Sequence, residues 1–126
     1  MAAIQGGYGQ EDTFAPGRFD YYDAATGNLV SGATINMQTS NLVLVAGAAI
    51  AALTVKLPIN PPDGCVAELN AVNYGVTALT LQANTGDSLV GPAVAALAAA
   101  TPVRFKYSLL GDYTKGVNAR SWIRVQ

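Results

Sequence analysis

The chain has 126 residues, enough for one domain with one core and too few for two comfortable ones. It is 51% hydrophobic but only 12% charged, about half the charge of an ordinary soluble domain, and its net charge is -1. There is no histidine, which removes the commonest metal ligand and the usual general base near neutral pH, so Ser-His, Cys-His and zinc chemistry are excluded.

Much of the apolar content is alanine, which lets sheets or subunits approach closely. A surface so sparsely charged suits a subunit of an assembly better than a free enzyme. The seven Lys and Arg are scattered, with four after residue 103, and form no dense patch interleaved with aromatics, so no nucleic-acid partner is expected. The longest weakly polar run, Leu42 to Leu53, is too short to span a bilayer, so no membrane partner is expected either. The start of the chain has neither a basic stretch nor an apolar run, and no signal peptide is expected.

Residues 1–17 are rich in Gly and Gln and carry neither helical nor strand periodicity. They read as an extended N-terminal arm before a domain at 18–126. Ile4, Tyr8 and Phe14 would anchor that arm on a neighbouring subunit. Phe19 to Tyr22 and Leu29 to Ile35 flank a loop whose Gly27-Asn28 pair supplies the positive φ of a turn, and they read as a first hairpin. Tyr21 and Tyr22 are adjacent, so one faces inward and the other is a candidate contact residue.

Leu42 to Val45 is apolar on both faces, as in a central strand or one at a subunit interface. Ala46 to Ala52 and Ala93 to Ala100 have a helical composition but are short and flanked or interrupted by Gly or Pro; helix, strand and loop remain open for both.

Leu53, Val55 and Leu57 alternate with Thr54 and Lys56, the period of a strand with one buried face. Pro58 ends it, and Pro61-Pro62-Asp63-Gly64 turns the chain. Cys65 is the single cysteine and reads as a small buried hydrophobe. The alternation recurs at Cys65 to Val72, Val76 to Gln82 and Val103 to Tyr107, and Arg120 to Val125 gives a last strand with Trp122 and Ile123 facing opposite ways. Gly111 to Asn118 reads as a polar loop. Eight or nine short strands predict an all-β domain, a single antiparallel β-sandwich or jelly roll.

Paired carboxylates for glycoside hydrolysis would have to come from Asp63, Glu68, Asp87 and Asp112, but Asp63 and Asp87 each adjoin a Gly and read as turn residues. Tyr74, Tyr113 and Trp122 are the aromatics that would line a sugar site, although Trp122 suits the core better. No catalytic residue, cofactor or metal is expected.

The order Leu57-Pro58, Pro62-Asp63-Gly64, Val76 to Leu81, Ala83-Asn84, Gly86-Asp87-Ser88-Leu89, Gly91, an Ala-rich segment, Val103 to Tyr107 and Trp122-Ile123-Arg124 resembles a β-module of tailed-bacteriophage virion proteins. Such modules end head fibres, capsid decoration (cement) proteins and tail fibres, and the likeness covers about the last 70 residues. The resemblance implies a non-catalytic structural protein on the capsid exterior, a dimer or trimer assembled in the host cytoplasm with the major capsid protein as partner. It equally accommodates a receptor- or carbohydrate-binding module of a fibre. The chain lacks a long fibrous shaft, which favours decoration.

Overall fold

The computed structural model describes residues 18–109 and 120–126. Among them lie nine strands and no helix: β1 (Asp20–Asp23), β2 (Thr34–Asn36), β3 (Asn41–Val45), β4 (Ile50–Lys56), β5 (Val66–Ala71), β6 (Val76–Gln82), β7 (Ser88–Val90), β8 (Val103–Ser108) and β9 (Ser121–Arg124). They form a six-stranded sheet in the order β1-β3-β5-β8-β9-β7 and a three-stranded sheet in the order β2-β4-β6.

The first six strands alternate between the sheets. Each therefore lies beside the strand two places on, and those four pairings are all parallel. A parallel pair needs a crossover, and here the crossover is the intervening strand of the other sheet. The chain thus winds as a short coil, with β1, β3 and β5 on one side and β2, β4 and β6 on the other. Only β5 with β8 and β8 with β9 pair antiparallel, and β7 joins β9 in parallel. The antiparallel arrangement expected from sequence is thereby corrected to mixed sheets, because inside-outside alternation has the same period in both pairings.

The first hairpin is corrected too. The loop after β1 does turn, with Gly27 at φ 81° and the Asp23 carboxylate accepting from the Thr26 amide at 2.7 Å and hydroxyl at 2.8 Å, but it hands the chain to the other sheet. Asp20 anchors the return: its carboxylate accepts from the amides of Gln38 at 2.9 Å and Thr39 at 3.0 Å, where β2 leads into β3.

One apolar cluster draws on both sheets. Leu42 and Leu44 of β3 and Ala67, Leu69 and Ala71 of β5 meet Leu53 and Val55 of β4 and Val76 and Leu79 of β6. β4 and β6 share an irregular pattern: Ile50 and Leu53 are buried with two exposed residues between, as are Val76 and Leu79. The register pairs Ile50 with Val76 and Leu53 with Leu79, so the two strands bend together and keep their apolar residues stacked.

The Ala-rich segment at 93–100 is neither helix nor free loop. Leu97 and Val76 exchange backbone bonds at 2.8 and 3.0 Å, the Leu79 amide donates to the Ala95 carbonyl at 2.9 Å, and Leu97 is fully buried. The segment therefore covers the outer edge of β6, an edge that would otherwise invite association. Small side chains let it approach so closely that a Cβ at Gly75 would overlap the Leu97 carbonyl oxygen. Residues 46–49 are a loop that bends at Gly47 and Ala48, and Ile50 already opens β4.

At the far end of the larger sheet Tyr107 and Trp122 pack with ring centroids 4.9 Å apart, and both are buried. Asp87 reaches them from the turn before β7. Its carboxylate accepts from the Tyr107 hydroxyl at 3.1 Å and pairs with Arg120 at 3.2 Å. Burial, then that hydrogen bond, raises the Tyr107 pKa.

Candidate functional site

Two surfaces stand out: the outward face of the six-stranded sheet and a cleft at one end of the smaller sheet. Alternation builds the first. On β3 and β5 the residues that alternate with the core residues face out, so Val43, Val45, Val66, Glu68 and Asn70 share one plane. The register sets Tyr21 beside Val43 and Val43 beside Asn70, and across the sheet it sets Val66 beside Lys106 and Lys106 beside Ile123. Val72, which donates to the Leu44 carbonyl at 2.9 Å, extends the plane beyond β5.

Tyr21 is 49% exposed, Val66 41% and Val72 51%, while Val43, Val45 and Ile123 are half-buried. Across the middle, Arg104 binds Glu68 at 2.8 Å and also donates to the Gln126 side chain. With both partners partly solvated the pair adds little stability, but it neutralises the centre of an otherwise weakly charged plane.

Tyr21 is thus the outward tyrosine of the sequence-predicted pair, and Tyr22 packs partly buried against the core. A hydrogen bond with Asp23 raises the Tyr21 pKa, and the Thr26 donors hold Asp23 below the usual carboxylate range. Ile4, Tyr8 and Phe14 lie outside the described residues.

Among the described residues the candidate carboxylates are each engaged elsewhere, and Asp112 lies outside those residues. Asp63 accepts from the Leu109 amide at 3.0 Å, Glu68 is tied to Arg104, and Asp87 is tied to Tyr107 and Arg120. Asp87 is more than a turn residue. The aromatic trio does not assemble as a sugar platform: Trp122 is fully buried, Tyr74 is exposed, and Tyr113 lies outside the described residues. Cys65 packs partly buried against the core, and burial pushes its thiol up to about 11, as an inert cysteine requires.

The cleft, of about 720 Å³, was not anticipated from sequence. It opens where the three parallel strands β2, β4 and β6 end together, so their last residues Asn36, Lys56 and Gln82 stand in register side by side. Gln38, Asn84 and Thr85 extend its polar wall, Met37, Leu57 and Ala83 form its floor, and exposed Ile59 bounds it. One sequence signal pointed there: Thr34-Ile35-Asn36, Thr54-Val55-Lys56 and Thr80-Leu81-Gln82 repeat the triplet threonine, aliphatic, polar. Such a repeat is the mark of stacked coil turns.

No family model, characterised protein or solved structure matches the chain.

Proposed function

We propose that this is a structural virion protein that decorates a bacteriophage capsid and stabilises it by bridging capsid subunits. The observation that carries the reading is the outward face of the larger sheet, where Tyr21, Val43, Val45, Val66, Val72 and Ile123 surround the Glu68–Arg104 ion pair, with Lys106 an exposed charge beside Val66 and Ile123. Covering such a plane with protein removes apolar area from water at about 25 cal/mol per Å² and leaves few charges to desolvate. The low overall charge and the resemblance to virion β-modules point the same way. We read the two sheets as a sandwich wound as a short parallel coil rather than as a jelly roll, since a jelly roll needs antiparallel Greek keys. The protein acts as a dimer or trimer with the major capsid protein as partner, and residues 1–17, with Ile4, Tyr8 and Phe14, add a second grip.

The test uses bare shells of the co-encoded major capsid protein. Saturable binding at a fixed number of copies per capsomer is the expected result. Tyr21→Asp and Val72→Asp, both at exposed positions, should abolish binding while leaving the thermal melt nearly unchanged. Deleting residues 1–17 from the otherwise intact chain should also abolish binding, and undiminished binding would remove the arm from the mechanism. Full binding by both face variants removes the sheet face from the mechanism, and no binding to shells by the intact chain refutes decoration.

A further inference from the structure

The cleft at the ends of β2, β4 and β6 has no part in the bridging role. Its chemistry is distinctive. Asn36, Gln82 and Asn84 offer side-chain amides, each both donor and acceptor, and none of the three has a side-chain hydrogen-bond partner among the described residues. Lys56 stands between Asn36 and Gln82 with no carboxylate in the cleft lining and no ion-pair partner among the described residues.

Neighbouring strands are about 4.8 Å apart, so the Asn36-Lys56-Gln82 file spans ~10 Å, comparable to two linked pyranose rings. Amides match vicinal hydroxyls, which also donate and accept. A lone cation amid them asks for one negative charge on a hydroxylated ligand. The lining contains no aromatic ring, which disfavours a nucleobase or flat apolar ligand, whereas Ile59 and the Leu57 floor offer aliphatic contact to ring C–H groups.

We propose that this cleft binds an acidic oligosaccharide, with Lys56 on the uronate carboxylate and Asn36, Gln82 and Asn84 on hydroxyls. The backbone already fixes the three strand ends, so the ordering that accompanies binding is that of the exposed Asn36, Lys56 and Gln82 side chains. An exposed charge contact of this kind contributes modestly and is screened by salt.

Trigalacturonate, neutral maltotriose and inorganic phosphate are the probes, read by amide chemical-shift titration of the full chain. Trigalacturonate should saturate, with amide shifts confined to residues 36–38, 56, 57, 59 and 82–85. Lys56→Gln, at an exposed strand end, should weaken it about fivefold and leave the melt unchanged. Asn36→Ala with Gln82→Ala should weaken trigalacturonate and maltotriose alike. Maltotriose should bind intact protein no better than trigalacturonate binds Lys56→Gln. The proposal is overturned by any of four results: no saturation below about 20 mM, shifts elsewhere, unchanged affinity in Lys56→Gln, or phosphate binding as tightly as trigalacturonate.

Discussion

Replacing Asp87 with alanine tests how the far end of the larger sheet is held. The Asp87 side chain is 2% exposed, and it is the partner of the Tyr107 hydroxyl and of Arg120. A hydrogen bond to a charged group contributes about 1.5–3 kcal/mol, and a buried hydroxyl left without a partner costs about 1–3 kcal/mol. The ion pair adds less than ~1 kcal/mol, because the Arg120 side chain is 41% exposed and water replaces its partner. Against these stands the relief of no longer burying a carboxylate, so the net loss comes to about 2–3 kcal/mol. At this chain length that lowers Tm by about 8–11 °C. Trp122 is the only tryptophan and lies against Tyr107, so its fluorescence during urea unfolding reads the region directly. Tyr107→Phe closes a double-mutant cycle, with a coupling of about 1–2 kcal/mol expected. A loss below about 0.5 kcal/mol for Asp87→Ala, or strict additivity with Tyr107→Phe, would refute the reasoning.

Gly75→Ala should destabilise by about 1–3 kcal/mol, because its methyl meets the Leu97 backbone where the 93–100 segment closes the β6 edge. Hydrogen exchange at the Leu97 amide should quicken in the same variant, and unchanged protection would show that the segment can shift aside. Cys65, raised from 9.0 to about 11, should carry about a hundredfold less thiolate than an ordinary cysteine near pH 8 and alkylate correspondingly slowly until the protein unfolds. Stability should hold from neutral pH to near 9 and fall above it: the raised Cys65 and Tyr107 pKa values mean the native state keeps protons that the unfolded chain loses from about 9 and about 10, so those contributions disappear as pH rises through the native values. Tyr107→Phe should flatten the decline in urea titrations at high pH.

The two surfaces differ in how far local pattern announced them. That one of Tyr21 and Tyr22 faces outward was legible, because neighbours on a strand point to opposite faces, but only the structure decided that it is Tyr21. The plane around it was not, since Val43, Val66 and Val72 come from separate segments that only the register sets side by side. The cleft required knowing that Asn36, Lys56 and Gln82 end adjacent parallel strands.

The sequence by itself determined which residues face in on β8 and β9 and where β4 stops, but not which face in on β6, where Val76 and Leu79 are both buried against strict alternation. Val103, Phe105 and Tyr107 inward with Arg104 and Lys106 outward, Trp122 buried and Leu57-Pro58 as a strand end all follow from a two-residue period and from the missing proline N–H. The tertiary structure alone decided which strand lies beside which, that 93–100 seals an edge, and that Asp87 is buried against Tyr107 and Arg120. The physical reason is one of range: alternation is written in adjacent residues, whereas pairing direction depends on where each loop returns the chain, a choice settled by burying both sheets' apolar faces in one core.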